Sequence, residues 1–186
     1  MPPELFIVMD RDGVVNEDSD DYIRCASDWV PISGSMDAIA KLTQSGFRVA
    51  VVTNQSGLAR GLFDIAALNG IHNKFRDHLA LSGGRVEMIL FCPHSPTDEC
   101  NCRKPRLGLF IQLAQRIGFP LNGIPYIGDS ITDIEVARSA GMTPMLVMSG
   151  KGQKTLGIHG KILDGIRVFQ DLREVAEVLV SRREVL

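Results

Sequence analysis

The sequence predicts an α/β fold: a doubly wound, mostly parallel sheet covered by helices on both faces. Three observations carry this expectation. Short apolar runs alternate with helix-period segments along the chain, the pattern of strand and helix taking turns. Several of those runs are continuously apolar, as strands buried on both faces are. The chemically capable side chains Asp10, Thr53, Cys92 and Asp129 fall where the runs end, and ligands in open α/β sheets bind outside those carboxyl ends.

In chain order, Leu5–Met9 is an apolar run ending on a carboxylate, and Phe47–Thr53 repeats that form. Val86–Cys92, Ile124–Ile127 and Met145–Met148 complete the main strands, with a short one at Ile166–Phe169; their length and Val/Ile content favour strand over buried helix. The first helix spans Ser35–Ser45, starting at Gly34 or Ser35 and stopping at Gly46. The second, Asp64–Leu81, has Asp64 as N-cap and places Leu68, Ile71, Phe75 and Leu79 on one stripe. Arg106–Ile117 follows Pro105 and stops at Gly118, Ser130–Ala140 stops at Gly141, and Asp171 caps a last helix reaching Val180. The Gly-rich stretch 149–160 reads as a mobile loop. No repeat or linker divides the 186 residues, so 1–186 is expected to form one domain, a length sufficient to bury a substantial core.

Apolar residues make up 45% and charged residues 23%, with a net charge of -2. That balance describes an ordinary globule with no broad basic field, so neither nucleic acid nor an anionic membrane is an expected partner. No run approaches the roughly 20 apolar residues of a membrane span. The start, Met1-Pro2-Pro3-Glu4-Leu5, has no basic flank or apolar core of a leader. A cytoplasmic monomer acting on a small molecule is the expectation. Arg182-Arg183-Glu184 reads as a solvated end.

Asp10 and Asp12 follow the first strand and precede Gly13. A carboxylate so placed can bind Mg²⁺ through one oxygen and attack phosphorus with the other, dividing ester hydrolysis into two displacements. The second aspartate can protonate the leaving oxygen and later take a proton from water. Alone the pair serves equally as a solvated acidic turn. Three further features favour chemistry. Thr53-Asn54 ends a strand with a hydroxyl and an amide, Arg103-Lys104 sets two cations before a helix, and Gly128-Asp129 ends another strand with Asp133 one turn on.

Asp10-x-Asp12, Thr53, Lys104 and Gly128-Asp129-x-x-x-Asp133, in that order, resemble the four motifs of haloacid-dehalogenase (HAD)-type phosphatases. The resemblance implies a HAD-like fold, with Asp10 as nucleophile and Asp12 as general acid/base. It implies that Thr53 and Lys104 stabilise the transferring phosphoryl group. Mg²⁺ would be held by Asp10, the Asp12 backbone carbonyl and Asp129, with Asp133 supporting that shell.

Cys92, His94, Cys100 and Cys102 lie within eleven residues and offer three thiolates and one imidazole, a closed tetrahedral Zn²⁺ set. The alternative is buried thiols beside an unrelated surface histidine. A disulfide inside Cys100-Asn101-Cys102 is geometrically strained and out of place in a reducing compartment. With no open coordination position the zinc reads as structural, ordering the loop 92–105 and placing Arg103 and Lys104. Cys25 has no partner there and reads as an ordinary free cysteine.

The segments 10–16, 51–61, 92–94 and 102–105 resemble the heptose bisphosphate phosphatase family over about Leu5 to Gly150. Histidinol-phosphate phosphatases share the fold and zinc loop and are the rival; a zinc-organised binding module without catalysis is a remote alternative. The heptose resemblance implies release of the 7-phosphate of a heptose bisphosphate, on the way to activated heptose for lipopolysaccharide or other glycans. About 35 residues separate Asp12 from the second strand, too few for a separate cap domain, so loops must enclose the substrate. A second phosphate would fall to Arg103 and to Asn54, Gln55 and Ser56. Ser130 stands where members of that family often carry lysine. Asp18 to Asp21 match their substrate loop. His72 and His78 read as surface residues of a helix, Trp29 as a packing residue, and Arg60 as either a phosphate contact or a solvated turn.

Overall fold

A computed structural model describes residues 5–183. The beginning of the amino-terminal segment and Glu184 of the basic run lie outside the described residues. Six strands form one sheet in the order β3-β2-β1-β4-β5-β6, every pairing parallel. These are β1 (Phe6–Met9), β2 (Arg48–Asn54), β3 (Met88–Cys92), β4 (Pro125–Gly128), β5 (Thr143–Val147) and β6 (Arg167–Phe169). The helices are α1 (Ser35–Gln44), α2 (Ile65–Leu81), α3 (Gly108–Ile117), α4 (Ile131–Ser139), α5 (Gly152–His159) and α6 (Leu172–Arg183). The predicted doubly wound architecture is present, and none of these helices is long and apolar enough to cross a membrane.

The sheet's two faces follow from the strand period of two. Ile7 and Met9 of β1 join Val49 and Val51 in the core that takes α1, α2 and α6. Phe6 and Val8 join Ala50, Val52 and Tyr126 in the opposite core under α3 and α4. The α2 stripe is as predicted: Leu68, Ile71, Phe75 and Leu79 are buried, each contributing about 1.5–3 kcal/mol. Asp64 Oδ1 accepts from the Ala67 N–H at 2.8 Å, the expected cap. Trp29 packs fully buried on Phe75.

Two expectations need correction. The stretch 149–160 is not a loop throughout: it contains α5, anchored where Thr155 Oγ1 donates to the Asp129 carbonyl at 2.8 Å. The third helix begins at Gly108, two residues later than the Pro105 signal gave. Arg106 N–H closes a turn onto the Arg103 carbonyl, and Gly108 N–H donates to Asn101 O at 2.9 Å. A Cβ at position 108 would press on that carbonyl, so the chain finishes wrapping the loop before it can wind.

Strand order reverses at β1: β2 and β3 continue to one side, β4, β5 and β6 to the other. The crevice outside the carboxyl ends there is where such a sheet takes a ligand.

Candidate active site

Asp10 continues β1 by donating its N–H to the Ile127 carbonyl of β4 at 2.9 Å, which sets its side chain over the crevice. Its Oδ1 accepts the Arg11 N–H at 2.7 Å and its Oδ2 lies 2.9 Å from Lys104 Nζ. Burial pushes the Asp10 carboxyl up to about 7; the Asp133 and Asp12 charges add to that and Lys104 opposes it. Asp129, at the end of β4, is raised to about 8, first by burial and then by Asp133 and Asp10. Oxygens of Asp10, Asp129 and Asp133 all lie within 4.8 Å of one another. So many carboxylates in one dry place call for a cation, and an oxygen-only set suits Mg²⁺. The cradle is tight: a Cβ at Gly13 or Gly150 would overlap the Asp129 carboxylate.

Lys104 is 3% exposed and donates to the Val52 carbonyl (3.0 Å), the Tyr126 hydroxyl (3.0 Å) and Asp133 Oδ1 (2.7 Å). Burial alone would discharge the ammonium, but Asp10 and Asp133 hold its pKa above the ordinary lysine value. Asp133 is thus committed to Lys104 and to Ser130, whose N–H and Oγ reach its other oxygen at 3.1 and 2.5 Å. That placement agrees with a supporting part for Asp133. Thr53 Oγ1 and Asp12 Oδ2 both accept from Gln55 Nε2, at 2.9 and 2.8 Å. Asn54 turns its amide to the Lys104 backbone, Oδ1 accepting from N–H at 3.1 Å and Nδ2 donating to the carbonyl at 3.3 Å; it clamps the lysine's loop to β2.

Asp10, Asp12, Thr53, Asn54, Gln55, Ser56, Arg103, Lys104, Asp129 and Ser130 all line one cleft of about 360 Å³, together with Arg60, Asp18 and Tyr22. The structure therefore brings together every catalytic and substrate-binding candidate. The Asp12 side chain is not part of the Asp10–Asp129–Asp133 cluster. It accepts from Arg11 Nε at 2.9 Å, Arg11 Nη2 at 3.0 Å and Asn16 Nδ2 at 2.9 Å as well as from Gln55. Burial would raise the Asp12 carboxyl, but the Arg11 charge and these donors hold it below the usual carboxylate value. A contribution of Asp12 to the cation would have to come from its carbonyl.

Sequence reasoning missed several neighbours. His72 is not a surface residue: it is 4% exposed, with Nε2 3.3 Å from Arg11 Nη1. Its spacing to Leu68, Phe75 and Leu79 on the buried stripe was the available signal. His78 is half-buried, edge-on to Trp29. Lys151 enters the cleft, its N–H donating to Asp129 Oδ2 at 2.7 Å and its Nζ 2.6 Å from Asp18 Oδ2. A cation therefore lines the same cleft as Ser130, from a segment whose glycines masked it.

The ligand atoms of Cys92, His94, Cys100 and Cys102 also fall within 4.8 Å of one another. Cys92 Sγ is 3.7 Å from Cys100 Sγ and 3.2 Å from Cys102 Sγ, and His94 Nδ1 is 3.2 Å from Cys102 Sγ. A tetrahedral centre with Zn–S of about 2.3 Å needs sulfurs about 3.8 Å apart, so the set is near that size. Burial pushes the Cys92 thiol up to about 12. Burial also opposes ionisation of Cys100, yet N–H donors from Arg103 and Cys102 bring it down to about 7. A cation is what would ionise all three. Arg103 Nη1 donates to the His94 carbonyl at 3.3 Å, tying the cleft's arginine to this knot.

Fold and site together define a HAD-like phosphatase, and the HAD-hydrolase-like family model matches residues 101–175. The chain is 48% identical over 175 residues to the D-glycero-β-D-manno-heptose-1,7-bisphosphate 7-phosphatase of Pseudomonas aeruginosa, covering 94% of this chain and 97% of that one. The enzyme of the same name from Bordetella bronchiseptica is 49% identical over the same shares. The B. bronchiseptica D,D-heptose 1,7-bisphosphate phosphatase, solved with magnesium and phosphate, superposes with a TM-score of 0.92 at 48% identity, covering 95% and 98% of the two chains. The chain belongs to the D-glycero-β-D-manno-heptose-1,7-bisphosphate 7-phosphatase family.

Proposed function

We propose that this chain hydrolyses the 7-phosphate of D-glycero-β-D-manno-heptose 1,7-bisphosphate through an aspartyl-phosphate on Asp10. The observation that supports the chemistry most is the Asp10 carboxylate, at the end of the central strand, 2.9 Å from a buried lysine and inside the carboxylate cluster. The substrate rests on the family. Asp10, the Asp12 carbonyl and Asp129 would hold Mg²⁺, which neutralises phosphate charge when bound.

An Asp10 carboxylate oxygen attacks phosphorus while the bond from phosphorus to the sugar oxygen breaks, and Asp12, protonated in the substrate complex against the pull of Arg11, gives that oxygen its proton. Water then attacks the acyl phosphate, Asp12 takes the water's proton, and inorganic phosphate leaves with the Asp10 carboxylate restored. Thr53 and Lys104 stabilise the charge on the transferring group. Arg103, Gln55, Ser56 and Asn54 bound the part of the cleft that would take the sugar and its second phosphate. We take the working unit to be a single domain, built on the one six-stranded sheet, and to act as a cytoplasmic monomer.

Protein purified with Mg²⁺ is expected to release phosphate, and Asp10→Asn to reduce release by about 10³-fold or more. Full activity in that variant refutes the nucleophile. Comparing kcat/KM on heptose bisphosphate and histidinol phosphate decides the substrate, because specificity is that ratio.

A further inference from the structure

Arg11 stands between the two aspartates in sequence but does not line the cleft. It is fully buried, and its guanidinium runs inward under the loop 10–16. Two of its nitrogens fork onto Asp12: Nε donates to Oδ1 at 2.9 Å, and Nη2 lies 2.9 Å from Oδ1 and 3.0 Å from Oδ2. The third, Nη1, is 3.3 Å from His72 Nε2 on α2. His72 is itself buried and held neutral: burial first, then the Arg11 and Arg76 charges, bring it down to about 3. Its Nε2 can then accept from Arg11.

A buried ion pair is a poor source of stability, since the desolvation of two charges offsets most of their attraction. Two guanidinium nitrogens gripping both oxygens of one carboxylate are instead an arrangement that fixes its plane. Asn16 Nδ2 and Gln55 Nε2 complete the set, one on each oxygen. The arginine cannot swing away, because His72 occupies its far side.

We propose that Arg11, backed by His72, is a positioning residue that sets the plane of the Asp12 carboxylate and so its proton transfer with the leaving oxygen. This rests on the reading of Asp12 as general acid/base. The prediction separates orientation from mere packing through the leaving group. A sugar oxygen must be protonated as it departs, whereas p-nitrophenolate leaves without help. The quantity kcat/KM covers the steps up to that departure and leaves out the later hydrolysis.

Arg11→Lys keeps the charge and loses the fork, so kcat/KM on the heptose bisphosphate is expected to fall about 10²-fold while that on p-nitrophenyl phosphate is nearly unchanged. His72→Leu should discriminate in the same direction, by about tenfold, and His72→Gln, whose amide oxygen can accept from Arg11, should restore most of the loss. Asp12→Asn is the reference. If Asp12→Asn discriminates and the Arg11 and His72 variants lower both substrates equally, or neither, the assignment of Arg11 alone is overturned. If Asp12→Asn itself lowers both equally, the proton role of Asp12 fails and this assignment with it. Should Arg11→Lys not fold, the two His72 variants decide the matter.

Discussion

Asp10 and Asp12 are two residues apart, yet one carboxyl is raised to about 7 and the other lowered. Asp10 is crowded by Asp133 and Asp12 with Lys104 opposing them; Asp12 is gripped by Arg11, Asn16 and Gln55. The residue types and their spacing were legible in the sequence. The direction of each side chain was not, because it depends on partners some 40 to 60 positions away, such as Gln55 and His72. Gly13, directly after Asp12, has φ +79°, and a Cβ there would overlap Asp129. Gly13→Ala therefore combines left-handed backbone strain of about 1–3 kcal/mol with displacement of a proposed metal ligand. Titration calorimetry should show Mg²⁺ affinity reduced by at least about tenfold, the equivalent of 1.4 kcal/mol. Undiminished affinity would mean that Asp129 is not the ligand.

Among the elements, strands and caps were read well where the signal was local: an apolar run of four to seven residues, Asp64 before α2, Asp171 accepting from Arg173 and Glu174 N–H at the start of α6. α5 was hidden because its order comes from Thr155 and Lys151 bonding to Asp129, a long-range tie that glycine content obscures. The start of α3 was misplaced because the loop 92–105 has to close first. That loop has few apolar side chains of its own and depends on its thiols. Metal analysis should find about one zinc per chain. Cys102→Ser should remove it and lower kcat about 10–100-fold, the usual cost of disturbing a metal site's support, because Arg103 and Lys104 follow directly. A zinc-free preparation with full activity would exclude the structural zinc.

At the scale of the whole molecule, the carboxylate cluster couples stability to pH and to metal. Asp10 and Asp129 are raised from 3.8 to about 7 and about 8. The folded chain without a cation thus retains protons that the unfolded chain has already released. That contribution is complete below about pH 4 and is lost as pH rises through 7 to 8. Bound Mg²⁺ replaces those protons. The metal-free protein should melt at a lower temperature near pH 8.5 than near pH 6.5, and Mg²⁺ should raise the melting temperature more at the higher pH, each 1 kcal/mol appearing as about 2–4 °C. An Mg²⁺ effect independent of pH would show that these groups do not exchange protons for metal. The strand order has a separate consequence for how the chain is made. β1 comes first among the described strands but sits at the centre of the sheet, bonded on one side to β2 and on the other to β4. Its second edge has no native partner until Pro125–Gly128 has been synthesised. A ribosome-bound chain therefore carries the strand that leads to Asp10 half-paired until β4 has emerged, and the cleft can close only once Lys151 has followed.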